Sequence, residues 1–148
     1  MIIGQFVTSF FASSGFAVIF NAPKRSLFQC GMVGMLGWSV YIICIDQNID
    51  AVVATLAASI LVAVLSQLYA KLQKMPIIIF NVAGIIPLVP GGLAYDAMRQ
   101  FVENDYSLAI QLAAKALLIS GAIALGLVFS EIINQIIRRI RWKKLKEV

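Results

Sequence analysis

The chain alternates long apolar runs with short polar breaks. Run one is Ile2 to Phe20, run two Leu27 to Ile45, run three Ala51 to Ala70, and run five Tyr106 to about Ile137. Run four, Pro76 to Glu103, is apolar at first and interrupted midway. An apolar helix of about 20 residues matches a bilayer's hydrocarbon core. The pattern therefore predicts an all-α integral membrane protein with five transmembrane helices, the fourth broken at Pro87–Gly92. One transmembrane domain, residues 1–148, accounts for the whole length.

Run four differs from the others in kind. Pro76 suits the first turn of a helix, where its missing N–H costs nothing. From there to Ile86 a half-helix of roughly 16 Å is expected, about midway through a core of about 30 Å. Pro87-Leu88-Val89-Pro90-Gly91-Gly92 follows. Its prolines remove two donors and its glycines permit positive φ. A second, more polar half-helix is expected from Leu93 to about Glu103. There Asp96 and Arg99, and Arg99 and Glu103, have the spacing of pairs on one face.

Small and polar residues mark seams on the other runs. Gln5, Ser9 and Ser13 lie four apart and share a face of run one, suited to interhelical packing or to substrate contact. Asn21-Ala22-Pro23 ends that run, since the residue before a proline avoids helical geometry. Gly31, Gly34 and Gly37 predict a close helix contact on run two, just before Trp38 and Tyr41. Run three carries Thr55, Ser59 and Ala63 beside Ala54 and Ala58. Run five carries Ala122, Gly126 and Ser130. These ridges predict lateral packing and leave a homo-oligomer open.

Composition strengthens the membrane reading. Hydrophobic residues make up 61% of the chain and charged residues 13%, with mean hydropathy +0.91; soluble domains sit near 45–50% and about 25%. The net charge of +5 does not indicate nucleic acid, because six of the twelve basic residues lie in the last eleven positions. That placement suits a cytoplasmic flank beside anionic lipid, with Trp142 as an interfacial anchor. The absence of histidine excludes imidazole zinc sites and Ser–His or Cys–His catalysis within the chain. No metal, cofactor or enzymatic activity is expected. Cys30 and Cys44, about 21 Å apart along a helix, are too far for a disulfide. The first run lacks a basic leader and is too long for a signal peptide, so it reads as a retained helix.

Loop charges decide between a re-entrant and a spanning run four. Lys24/Arg25, Lys71/Lys74 and the tail are basic; Asp46–Asp50 and Glu103–Asp105 are acidic. If run four spans, every basic segment falls on one side. The positive-inside rule thus predicts five crossings, with the N-terminus outside and the C-terminus cytoplasmic. A break at membrane depth needs protein or water around it, and transporters aim such half-helix ends at substrates. Lys115 lies about 13 Å into run five, at a similar depth, with Gln111 one turn away. A lysine within the membrane is a functional hypothesis by default. With the helix N-terminus near Gly91 it would form an anion site for a carboxylate. The alternatives are a snorkelling lysine or one paired with an acidic residue on a partner. Asp96 is the acidic group nearest mid-depth; with Arg99 it is the candidate for coupling or gating.

Pro87-Leu88-Val89-Pro90-Gly91-Gly92 followed by Tyr95 and preceded by Asn81 and Gly84 resembles the proline-glycine segment of the threonine/serine exporter family. Phe16-Ala17, Phe20-Asn21-Ala22-Pro23, Gly31, Gly34 and Gly37-Trp38 agree with it. The resemblance covers nearly the whole chain and is to the small membrane subunit of the split, two-component type. It implies export of threonine and serine, or of a dicarboxylate such as succinate, driven by an ion gradient. It also implies a larger membrane subunit as partner and residence in a bacterial inner membrane. Asn81, Pro87, Pro90, Gly91, Gly92 and Tyr95 join Lys115 and Gln111 as substrate-site candidates. A non-transporting membrane scaffold is the competing reading. An intramembrane enzyme is disfavoured: Lys115 and Ser120, five apart, do not face each other well.

Overall fold

The computed structural model describes the backbone of residues 2–146 and the side chains of residues 4–136. Trp142 and the side chains of the basic tail lie outside the described residues. Six helices make up the fold: α1 Ile2–Ile19, α2 Leu27–Asp46, α3 Ala51–Gln73, α4 Ile77–Ile85, α5 Gly91–Val102 and α6 Tyr106–Lys146. Short 3-10 turns at Lys24–Ser26 and Ile86–Leu88 precede α2 and follow α4. Among the described residues there is no strand. The backbone of α6 continues as helix through the start of the expected tail, giving 41 residues, or about 62 Å at 1.5 Å per residue.

Three helices are long and apolar enough to cross a membrane: α2 with its leading turn, α3, and the Tyr106–Ile136 part of α6. The pair Ile77–Leu88 and Gly91–Val102, bent by 51°, makes a fourth if it forms one span. α1 is apolar but shorter.

Four chain reversals share one device. Asn21, Asn48, Lys74 and Asn104 all have left-handed φ, between 53° and 65°. After each, a backbone N–H returns five residues to a helix carbonyl: Ala22 to Ala17, Ile49 to Cys44, Met75 to Ala70 and Asp105 to Gln100. This closes the helix end by satisfying carbonyls that would otherwise be orphaned. It also revises the expectation for run one. The helix ends at a left-handed Asn21, two residues before the proline credited with stopping it. At the start of α4, Pro76 sits at the N-cap, one place ahead of the expected first turn.

The seams predicted from small residues are contacts. A side chain at Gly31 would overlap Phe10 and Ser14 of α1, one at Gly34 would overlap Ser13, and one at Gly37 would overlap Val62 of α3. The glycines of α2 therefore serve two neighbours. On α3, Ala54, Thr55, Ala58, Ser59 and Ala63 are all buried. α3 and α6 run parallel in constant register. Ser59 donates to the Ala122 carbonyl, Gln67 to Ser130 and Lys71 to Asn134, an offset of 63 residues each time. From Ala116 on, the residues α6 buries, Ala116, Ile119, Ala122, Ile123, Gly126 and Ser130, follow the three- and four-residue steps of such a seam, with Ala109 two turns earlier.

That parallel register fixes the path of the broken segment. Ala17, Cys30, Phe80 and Ala83 form a buried cluster with Tyr69, Ala70 and Met75 packed on it. The end of α3 and the start of α4 therefore lie together at the end of the bundle that carries Lys24, Arg25, Lys71 and Lys74. α6 starts at the opposite end, about two turns beyond the start of α3, since the 63-residue offset sets Ala114 level with Ala51. The α4–α5 segment thus carries the chain from the basic end to the acidic one, packing Leu88 against Val33, Ala58, Val62, Ile119 and Ile123 midway.

Candidate functional site

The break is built from backbone chemistry. Pro87, inside the Ile86–Leu88 turn, has no N–H to give the Ala83 carbonyl. The chain becomes extended at Val89, and Pro90 precedes α5 with no side chain capping that helix. Gly91 N donates to the Val89 carbonyl at 2.8 Å, and Ala94 N to that of Pro90 at 3.1 Å. No described glycine takes a positive φ, contrary to the role expected of Gly91 and Gly92. What the pair provides is space: a Cβ on either would meet nothing within 4 Å. In the first turn of α5 the Gly91 N–H is taken by the Val89 carbonyl, and those of Gly92 and Leu93 have no backbone partner.

Two cavities meet at Pro87 and Trp38. One, about 230 Å³, is lined by Gln5, Thr8, Ser9, Ala12, Trp38 and Pro87. The other, about 240 Å³, takes in Pro87 through Pro90, Gly92, Leu93, Trp38, Tyr41, Thr55 and Ile119. Trp38 and Tyr41 stack with ring centroids 5.1 Å apart. The polar face of α1 is thus turned toward the break. Ser13 Oγ is fully buried without a hydrogen-bond partner and packs where Gly34 and Pro87 converge. Gln5 Oε1, on the first cavity, and Asn81 Oδ1, six residues before Pro87, are also buried without partners. A buried polar atom with no partner is costly. Gln29, Ser66 and Gln73 share the condition toward the basic end of the bundle, and at the break it is Gln5 that also borders a cavity, whereas Asn81 lines neither one.

The expected site residues divide. Pro87, Pro90 and Gly92 line the second cavity and Gly91 adjoins it. Lys115 and Gln111 do not line either cavity. Both are exposed on the flank of α6, and it is Ile119, one turn beyond Lys115, that faces the break. Tyr95 is exposed, and Asp96 is half-buried without an ion pair among the described residues. Arg99 pairs with Glu103 at 3.3 Å on an exposed face; the expected Asp96–Arg99 pair does not form. The site at the break is therefore uncharged, with Gln5, Thr8, Ser9, Tyr41 and Thr55 as the polar groups of a mostly apolar lining. The sequence presents Trp38 and Tyr41 only as neighbours of the run-two glycine ridge and Thr55 as a member of the run-three packing ridge. The signal for the first two is the position of aromatic groups directly after Gly31–Gly37.

A helical bundle with three to four candidate membrane spans, one of them discontinuous and bordered by two cavities, defines a polytopic membrane protein. The family comparison agrees: residues 5–133 match the family model for the threonine/serine exporter, ThrE. The chain belongs to the threonine/serine exporter family. No solved structure matches it.

Proposed function

We propose that the chain is a membrane subunit of a secondary exporter of small carboxylate metabolites, threonine and serine or a dicarboxylate such as succinate, working with a larger subunit of the same family. It crosses a bacterial inner membrane five times, counting α1 and the α4–α5 pair as one span each, with the N-terminus outside and the C-terminus in the cytoplasm. The observation that carries the reading is the break at Pro87–Gly92, faced by the polar stripe of α1 and by Trp38. Substrate contacts are assigned to Pro87, Pro90, Gly91, Gly92 and Asn81, with Tyr95 on the outward half-helix. Asp96 and Arg99 are assigned to coupling or gating.

Lys115 and Gln111 act in this proposal from the outer flank of α6. The 63-residue offset sets Lys115 level with Val52, in the first turn of α3 and so toward the outer end of the bundle, not at the expected mid-depth. A charge on an apolar flank is still costly, and in this proposal the larger subunit covers it. Lys115 then meets the substrate carboxylate, or an acidic partner, across the shared surface. Efflux of threonine, serine and succinate is measured in vesicles holding the larger subunit, with and without this chain. Efflux that requires the chain supports the proposal; efflux indifferent to it overturns the proposal. Lys115→Ala is expected to lower efflux with assembly intact, and unchanged efflux would remove Lys115 from the site.

A further inference from the structure

A second polar constellation lies at the basic end of the bundle, away from the break. There the α3–α6 seam changes from small residues to amides and charges. Gln67 Nε2 donates to the Ser130 carbonyl at 3.0 Å and to Ser130 Oγ at 3.1 Å, and Lys71 Nζ donates to Asn134 Oδ1 at 2.9 Å. Beside this clasp is a cavity of about 230 Å³. Gln67, Lys71, Glu131 and Asn134 form its polar wall, and Ala70 and Met75 part of its apolar one.

One cation and one anion face this space. Lys71 and Glu131 do not pair with each other, the one ion pair among the described residues being Arg99–Glu103. Glu131 accepts a long bond of 3.4 Å from Gln135 on its own helix. Opposite charges on two parallel helices that line one cavity without pairing match a ligand that carries both charges itself. A dicarboxylate would set its second carboxylate against Glu131, and a diamine would set an ammonium against Lys71. Like charges placed together disfavour both.

We propose that this cavity binds the zwitterion of a small amino acid as it enters from the basic side, Lys71 holding the carboxylate and Glu131 the ammonium group. Asn134 Oδ1 and Gln67 Oε1 are the neutral acceptors for an ammonium or a side-chain hydroxyl. The site deepens the exporter reading and rests on it for the direction of entry. The charge pair gives the chain a selectivity element separate from the neutral break, so that substrate is sorted by charge before it reaches the middle of the membrane.

The test is equilibrium binding to the assembled transporter, in nanodiscs of phosphatidylglycerol and in nanodiscs with added phosphatidylethanolamine. The probes are L-threonine, L-threoninamide, which lacks the carboxylate, and succinate, which lacks the ammonium. Threonine is expected to bind in both lipids and the other two at least tenfold more weakly. Lys71→Met and Glu131→Gln should each weaken threonine binding about tenfold or more, as loss of a charge-assisted hydrogen bond does. The swapped variant Lys71→Glu with Glu131→Lys should recover part of that loss, which a merely structural role would not produce. Threonine affinity unchanged in both single variants overturns the site. So does threonine binding that disappears when phosphatidylethanolamine is added, because the cavity then belongs to a lipid headgroup with the same pair of charges. Efflux that needs the chain while binding ignores Lys71 and Glu131 leaves the exporter reading standing and removes this site alone.

Discussion

The α3–α6 seam and the α4–α5 break solve opposite problems with similar materials. In the seam, small residues bring two parallel helices together, and the polar groups that meet there are paired: Ser59 with the Ala122 carbonyl, Gln67 with Ser130. Around the break, the same kinds of residue on α1 and α2 bring backbones close, yet Ser13, Gln5 and Asn81 keep buried oxygens unpaired. The contrast is local to these two contacts, since Ser66 and Gln73 of α3 and Gln29 of α2 also keep unpaired buried oxygens; what sets the break apart is that Gln5 and Pro87 border a cavity there. In a membrane, where apolar burial does not drive helices together, such pairing and close packing are what hold them.

The contrast breaks most visibly at Gly126. A side chain there would overlap Ser59 and press on the backbone at Ile60, and backbone cannot step aside. Gly126→Leu should cost at least the ~1–3 kcal/mol of an overpacked core, read as loss of monodisperse protein in detergent. Unimpaired folding would mean that the seam is not the rigid element. A smaller effect is expected at Gln67. Gln67→Leu deletes both bonds to Ser130 and should lower stability by about 0.6–1.7 kcal/mol, the range for hydrogen bonds between membrane helices, in a steric-trapping or denaturant measurement. Least costly to stability is Ser13→Ala, which removes a hydroxyl that bonds nothing. Stability should hold or rise, by up to about 1–3 kcal/mol, the cost of a buried unpaired polar group, while efflux falls. If Ser13→Ala costs as much stability as Gln67→Leu, the two regions do not differ as described.

Much of the seam was legible in the sequence, because Thr55, Ser59 and Ala63, like Ala122, Gly126 and Ser130, recur at local helical spacing. Which ridge meets which was not legible. The offset of 63 residues between α3 and α6 is a property of the packed bundle, and no local pattern encodes it. The break was legible for the same local reason, since Pro87 and Pro90 act within their own turn. Its surroundings were not. Depth along the helix placed Lys115 near the break, but a count of residues gives neither the level of the helix in the bundle nor its rotation. The buried stripe through Ala109, Ala116, Ile119 and Ile123 puts the lysine on its flank. The helix ends were misread in one respect: Pro23 stood out, yet Asn21 does the capping.

The four left-handed caps have a mechanical consequence. Each turn is tied by hydrogen bonds to the helix it leaves, so the turns at Asn21, Asn48, Lys74 and Asn104 act as stiff corners. Of the described connections between helices, the stretch from Ile86 to Pro90 is the one built without such a cap, while the corner at Asn104 ties α5 to α6. Bending of the α4–α5 segment is therefore expected at Ile86–Pro90, with α5 staying beside α6.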